Sequence, residues 1–204
     1  MSNAINKDAV TRVPILDALA RRWSTRAFAD RAVEAEKLIA VLEAARWASS
    51  SLNLQPWRLI VATKADPAAY ARLLDCLKEG NQHWASRAPV LILTVAHVER
   101  KPGVPNRHAL HDVGLAVGNL AVQATALGLY LRQMGGFYPE KARETYRLPA
   151  DYEPVTTIAL GYRADPDDIP EDLRERELAV RQRKPLGEIV FNGDWGVPFV
   201  PEEA

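Results

Sequence analysis

Residues 107–127 read RHALHDVGLAVGNLAVQATAL and contain the strongest helix candidate in the chain. Apolar residues occupy most sides of the helix that this spacing predicts, so we expect the helix in the centre of the fold or at an interface. Asp112 and Gln123 interrupt the run, and its uncharged part is marginal against the roughly 20 apolar residues of a membrane span. Gly114 and Gly118 are four residues apart on one side of this helix, which favours close packing against another helix.

The segments on either side alternate between the two periodicities of regular structure. Strands are predicted at 58–63, 89–98, 129–134 and 154–162. Helices are predicted at 15–24, 33–48, 66–77 and 139–146, and in a charged segment that ends at about Arg183. Residues 99–106 are predicted to form a loop, and the proline-rich tail 185–204 is predicted to be extended. Helices that alternate with four strands predict one α/β-type domain over residues 1–204, with a modest sheet.

Composition limits the classes of function. The chain has 204 residues, 48% of them hydrophobic and 25% charged, which suits a globular protein with a sizeable core. Its 26 basic and 26 acidic residues balance, which argues against a nucleic-acid partner or a membrane surface bound through bulk charge. The single cysteine, Cys76, excludes an internal disulfide. The first ten residues lack the apolar core of a secretory signal, so we expect a cytoplasmic protein.

A polar loop with two large aromatic residues precedes the first predicted strand, in ARWASSSLNLQPWRLIVATK at 45–64. Asn53 and Gln55 can each donate and accept hydrogen bonds, which suits a flat heterocycle with carbonyls and ring nitrogens. Pro56 is expected to push Gln55 into an extended conformation. The alternative is a turn whose side chains cap its own backbone.

Two basic groups and one pair of glycines are further candidates. The segment RRWSTR at 21–26 places guanidinium groups and a serine hydroxyl together, a set that binds phosphate well. Arg181, Arg183 and Lys184 form a second basic group, and for both groups the alternative is a solvated helix end. Gly135-Gly136 follows a predicted strand and permits close approach of a ligand to the backbone, or simply a tight turn.

Other sites of chemistry receive less support. His108 and His111 lie at helical spacing beside Asp112, with His97 upstream, but no HExxH pattern or third ligand accompanies them. Ordinary helix histidines are therefore the preferred interpretation, and no metal site is predicted. No GxGxxG follows any strand, so a dinucleotide-binding Rossmann unit is not expected. No GxSxG nucleophile turn is present either.

Taken together, six motifs resemble the nitroreductase family of flavin enzymes. They occur in the family's order and cover most of the chain. The motifs are RRWSTRAF (21–28), ARWASSSLNLQPWRLIV (45–61), HDVGLAVGNLAVQATALGL (111–129), MGGFYPE (134–140), TTIALGY (156–162) and RKPLGEIV (183–190). The resemblance implies an α+β fold, a three-layer α/β/α sandwich with a small, mostly antiparallel sheet. It further implies an intertwined homodimer with FMN bound at the interface.

The resemblance also implies roles for particular residues. The flavin phosphate would be held by the basic motifs, the serine-rich loop would meet the flavin, and the diglycine would lie near the isoalloxazine edge and N5. Carried over residue by residue, the cofactor-binding set is Arg22, Ser24, Arg26, Ser50, Ser51, Asn53, Gly135, Gly136, Arg181 and Arg183. Arg181 is a weaker candidate than Arg183. The tail 185–204 would embrace the partner subunit, with Trp195 as an anchor.

The activity that the resemblance implies is hydride transfer from NADH or NADPH through flavin N5 to a small-molecule acceptor, by a ping-pong mechanism. A nitroaromatic, a quinone or another conjugated compound is the expected acceptor, and no catalytic acid, base or nucleophile is assigned. A flavin-binding storage or sensing module without turnover is one alternative, and a metal-dependent hydrolase using His108 and His111 is another. The short segment 99–110 argues mildly against dehalogenase-like relatives with a long lid. Ser49 and Trp23 depart from the family's usual residues at those positions.

Overall fold

The computed structural model describes residues 7–199 of the chain. Its α-helices there are α1 (Asp17–Arg21), α2 (Ala35–Arg46), α3 (Pro67–Leu74), α4 (Glu79–Ala85), α5 (Ala109–Ala126), α6 (Pro139–Tyr146) and α7 (Glu171–Leu178). Its strands are β1 (Trp57–Thr63), β2 (Val90–His97), β3 (Glu99–Lys101), β4 (Val104–Pro105), β5 (Tyr130–Met134) and β6 (Tyr152–Gly161). Short 3-10 segments cover Ser51–Asn53, Pro166–Asp168 and Leu186–Glu188.

The four long strands form one sheet in the order β1-β2-β6-β5, and every neighbouring pair is antiparallel. Alternate side chains of β2 enter different cores: Leu91 and Leu93 lie on one face of the sheet, and Val90 and Ile92 lie on the other. A strand that is covered on both faces needs apolar residues at every position, which explains the uninterrupted run in its sequence.

Helices cover both faces of this sheet. Val41 of α2 and Leu120 of α5 belong to the core on one face. Helices α3, α4, α6 and α7 contribute side chains to the core on the other face, including Leu73, Trp84 and Leu173. The predicted three-layer α/β/α arrangement with a small antiparallel sheet is therefore confirmed.

Helix α5 has a buried side and an open side. Gly128, at φ 75°, ends the helix, and the Leu129 N–H donates to Ala124 O at 2.8 Å. On the open side, a Cβ built on Gly114 or Gly118 would meet no atom within 4 Å. The prediction that Gly114 and Gly118 pack closely against another helix is wrong within this chain. Among the described residues, no helix combines the length and apolar character needed to cross a membrane.

Three predicted element boundaries are wrong because tertiary contacts override local helix propensity. The helix expected over 15–24 ends at Arg21, since the next residues extend and bond to α7 and β5. The charged helix expected to reach Arg183 ends at Leu178. The helix expected to reach Leu77 ends at Leu74, since Cys76 and Lys78 form backbone hydrogen bonds to the segment after β5.

The chain after α7 is less extended than predicted. The backbones of Phe191 and Pro198 pair, and the Phe191 and Trp195 rings lie 4.9 Å apart, so residues 190–199 turn back on themselves. The Trp195 side chain is 91% exposed and is therefore not anchored on its own chain. Residues 200–204 of the predicted arm lie outside the described residues. The loop expected at 99–106 contains the β3–β4 hairpin.

Candidate functional site

The segment from Arg22 to Arg26 lies along β5, an edge strand of the sheet. The Arg22 Nη1 donates to Ser24 Oγ at 2.9 Å, and Arg132 Nη1 on β5 donates to the Ser24 carbonyl at 2.7 Å. Further along, Phe28 and Arg163 form a β-bridge, so the segment is fixed to the end of β6. The motif thus begins at the end of α1, as expected, and continues as an irregular segment with a bend at Arg26 that is held at both ends.

Three of the predicted phosphate-binding arginines are neighbours in space. Burial lowers the pKa of Arg22, and the positive charges of Arg181 and Arg183 lower it further. The pKa of Arg181 is lowered by burial first and by Arg183 second. Arg181 is also fixed in place, since its Nη1 donates to Lys7 O at 2.6 Å and to Ala20 O at 2.8 Å. The two basic motifs, far apart in sequence, therefore meet at one place.

A second cationic group adjoins the first, and sequence reasoning identified only one of its members, Arg26. Burial lowers the pKa of Arg26, as does the charge of Arg176. Burial, followed by the charge of Arg26, lowers the pKa of Arg132 to about 10. A half-buried arginine inside the strand sequence LYLRQM, three residues before Gly135, is the signal that would have identified Arg132.

These arginines suit a phosphate as their ligand. In the described part of the chain, no carboxylate comes within 4 Å of the guanidinium groups of Arg22, Arg26, Arg132, Arg181 or Arg183 in an ion pair. Like charges that are partly removed from water repel one another, and a bound dianion relieves that repulsion. Guanidinium groups with a serine hydroxyl beside them also form the donor set that phosphate oxygens prefer. The donor set therefore fits the phosphate of FMN.

The serine-rich loop has an unusual backbone. Leu52, Asn53 and Gln55 have φ values of 52°, 54° and 47°. Left-handed conformations at residues other than glycine cost of order 1–3 kcal/mol each and cluster at functional sites. The extended conformation predicted for Gln55 is wrong, since its N–H donates to Ser50 Oγ at 3.0 Å and this bond holds the turn closed.

Within one chain the loop satisfies part of its own hydrogen bonding, as the alternative interpretation of its sequence predicts. Gln55 Nε2 donates both to the carbonyl and to the side-chain oxygen of Asn53, each at 3.1 Å. Outside the loop, the Ser51 N–H donates to the carboxylate of Asp112 on α5 at 3.1 Å. Asp112 is 2% exposed, so this is a buried attachment of the loop to the central helix.

We expect Asp112→Ala to lower the free energy of unfolding by about 1–3 kcal/mol, because the partly buried Ser51 N–H loses its acceptor. Urea unfolding of the flavin-free protein measures this change. Asp112→Asn is the matched variant, since it keeps an acceptor oxygen and should retain most of the stability. Equal losses in the two variants would contradict this account and assign the effect to the charge of Asp112 near the start of α5.

The two glycines after β5 differ in their surroundings. A Cβ on Gly136 would lie 2.5 Å from Asn81 Nδ2, and the same amide donates to Gly136 O at 2.9 Å. Gly136 is therefore required by Asn81 of its own chain. A Cβ on Gly135 would meet no atom within 4 Å, so this position faces open space. Of the pair, only Gly135 leaves room for a ligand.

The sheet separates the predicted site residues into two groups. Arg132 pairs with Ala159 on β6, whereas Trp57, just after the loop, aligns through Ala96 with Glu153 at the other end of β6. The positions of Trp57 and Arg132 are separated by three strand spacings across the sheet and by six residues along β6 (153 to 159). The distance between them is therefore about 24 Å. The arginines and the diglycine share the β5 edge, and the serine loop lies at the opposite corner.

The histidines do not form a metal centre with their neighbours. Over residues 7–199, no group of three or more His, Cys, Asp or Glu side chains is arranged to hold a metal ion. His97 instead bonds Asp151 Oδ2 through Nε2 at 2.9 Å and stacks on Tyr152 with ring centroids 4.7 Å apart. His108, the N-cap residue of α5, and His111, on α5, are both exposed.

Comparison with known proteins gives a consistent result. A solved structure described as an oxidoreductase containing FMN is 32% identical, with a TM-score of 0.87, covering 97% of this chain and all (100%) of that chain. A Thermus thermophilus protein named NADH dehydrogenase is 31% identical over 187 residues, covering 75% of this chain and 90% of that protein. A Bacillus subtilis protein named FMN reductase (NAD(P)H) is 27% identical over 169 residues, covering 74% of this chain and 66% of that protein. The model of the nitroreductase family matches residues 19–162, which is more than half of the sequence, and the chain therefore belongs to the nitroreductase family.

Proposed function

We propose that this chain is an NAD(P)H-dependent flavin oxidoreductase that uses FMN to reduce a nitroaromatic, a quinone or another conjugated acceptor by a ping-pong mechanism. The observation that carries the proposal is the nearness of Arg181 and Arg183 to Arg22, whose Nη1 donates to Ser24 Oγ at 2.9 Å. Among the described residues, none of the three arginines forms an ion pair with a carboxylate within 4 Å. The FMN-containing oxidoreductase and the FMN reductase among its relatives support the same cofactor.

In this proposal, the phosphate is held by Arg22, Ser24, Arg26 and Arg183. Arg181 has a supporting role, since its Nη1 is already bonded to two backbone carbonyls. Arg132 joins the set, because it bonds Ser24 O and its charge adds to that of Arg26. The isoalloxazine ring is approached by the backbone at Gly135, with Gly136 shaping the turn, and by Ser50, Ser51 and Asn53.

When bound, FMN would supply the redox chemistry, the transfer of a hydride from NADH or NADPH to the acceptor. The protein's own residues bind and orient. The arginines would fix the phosphate end and offset its negative charge. The strained loop presents hydroxyl and amide groups at a fixed place. No side chain is assigned as acid, base or nucleophile.

We further propose that two copies of the chain build each site as a homodimer. The corner that holds the arginines and the corner that holds Ser50, Ser51 and Asn53 are about 24 Å apart in one chain, and a second copy that presents its own serine loop would bring the two sets to one flavin. The open side of α5, with Leu110 at 51% and Leu115 at 38% exposure, supports a buried interface there. The tail from Pro185, with exposed Trp195, would reach across the partner.

The test is a visible absorption spectrum of the purified protein, followed by anaerobic addition of NADH and then NADPH. We expect a yellow protein that bleaches with one of the two donors and recovers its colour on addition of a quinone or a nitroaromatic. A yellow protein that neither donor bleaches would favour a binding module without turnover. A colourless protein that takes up no added FMN would overturn the proposal.

A further inference from the structure

Glu177, on α7, is 0% exposed and contacts the arginine segment from the side opposite to solvent. Its Oε2 accepts hydrogen bonds from Trp23 Nε1 at 3.1 Å and from Thr25 Oγ1 at 2.9 Å. Its Oε1 accepts from the backbone N–H of Arg26 at 2.7 Å. One buried carboxylate thus binds three of four consecutive residues that lie about 150 positions away in sequence.

We propose that Glu177 is a positioning residue for the phosphate subsite. It holds the backbone of Trp23–Arg26 in the irregular, bent conformation that directs Arg22, Ser24 and Arg26 to one ligand. The inference rests on the proposed FMN site, but it concerns a residue that touches no part of the flavin. Its role is exerted through the segment that Glu177 fixes.

The electrostatics around Glu177 support this role. Its negative charge offsets the positive charges of Arg26, Arg132 and Lys7, each of which is stabilised in its charged form by Glu177. Without this carboxylate, the segment would bring cations together on both of its sides. A buried charge is retained at a cost in free energy unless several donors satisfy it, and here three donors do so.

Trp23 contacts both Glu177 and Lys7. Its indole N–H binds Glu177, and the Lys7 ammonium lies 4.5 Å from the centre of the Trp23 ring. The tryptophan is therefore explained by its contact with Glu177 rather than by contact with a ligand.

The test compares the affinities for FMN and riboflavin, which differ only in the phosphate. We expect Glu177→Gln to raise the Kd for FMN about tenfold, since hydrogen bonds to a charged acceptor are lost, and to leave the Kd for riboflavin within twofold of the wild-type value. A purely structural role would change both Kd values by the same factor. Glu175→Gln is the matched control, because Glu175 lies on the same helix and is exposed.

Trp23→Phe keeps an aromatic ring and removes only the indole N–H. It should raise the Kd for FMN about threefold with no change for riboflavin, and it carries the test if E177Q does not fold. An unchanged or tighter Kd for FMN in the folded variants would overturn the inference and make Glu177 a repulsive neighbour of the phosphate. If the wild-type protein binds neither flavin, the proposed function itself is wrong, which separates the two failures.

Discussion

Arg22→Ala is expected to weaken FMN binding about 100-fold, the largest effect among single substitutions in the phosphate subsite. Arg22 is half-buried, and its Nη1 donates to Ser24 Oγ at 2.9 Å. The positive charges of Arg181 and Arg183 lower its pKa in addition to the effect of burial. A charge-assisted hydrogen bond is worth about 1.5–3 kcal/mol when its partner is charged, and each 1.4 kcal/mol is a factor of ten in Kd. Equilibrium titration of the flavin-free protein, followed by flavin fluorescence, measures the change.

The control for Arg22→Ala is Arg72→Ala on α3, an exposed arginine whose charge acts on Tyr146 of α6 and on none of the arginines of the proposed phosphate subsite. Arg72→Ala should leave the Kd for FMN unchanged, and the Kd for riboflavin should be unchanged in both variants. The affinity of the wild-type protein for FMN should also fall with added salt, and that of Arg22→Ala should fall less steeply. Equal losses for FMN and riboflavin would contradict a phosphate contact by Arg22.

The parts of the fold that could be predicted from sequence are those whose signal is local. The β2 run and the α5 run carry their periodicity in consecutive residues, and both occur as predicted. The proline after Asp66 also marks the start of α3 correctly, and Ala69 N–H donates to Asp66 Oδ1 at 3.0 Å. Such signals need no knowledge of what the element will pack against.

The parts that could not be predicted depend on distant partners. The helix predicted over 15–24 includes residues 22–24, yet these lie outside any helix, and the segment is bound by Glu177 and Arg132. Helix α4 was missed altogether, because its sequence EGNQHWA has weak periodicity and is anchored mainly through the buried Trp84. Neither the contacts of residues 22–26 with Glu177 and Arg132 nor the burial of Trp84 can be predicted from the neighbouring residues in the sequence.

The residues of the candidate site also fall into those that the sequence indicates and those that only the folded chain brings together. The arginine and serine motifs were candidates because of their residue types, and the resemblance to the family assigned them to the flavin. Arg132 and Glu177 look like ordinary residues of a strand and a charged helix, and only the folded chain brings them to the motif. Conversely, Gly136 was assigned to ligand contact, whereas Asn81 of its own chain already occupies the space beside it.

Gly118→Arg is expected to convert a dimer to a monomer and to remove most of the bound FMN. Within one chain, a side chain at Gly118 meets nothing within 4 Å, so the substitution should not disturb the folded subunit. Replacement of a helical glycine should even stabilise the isolated chain slightly. At an interface where two helices approach closely, however, an arginine both clashes and carries a charge into a buried apolar surface.

Light scattering coupled to size-exclusion chromatography would measure the mass of Gly118→Arg, and the ratio of flavin to protein absorbance would measure its FMN content. Ala71→Arg is the control, since Ala71 is an exposed helical residue of α3 on the other side of the sheet. It should remain dimeric and yellow. Mass and flavin content should fall together in Gly118→Arg, because Ser50, Ser51 and Asn53 would come from the partner. A monomer that keeps its FMN would contradict the shared site, and a dimer with full FMN would show that the open side of α5 is not the interface.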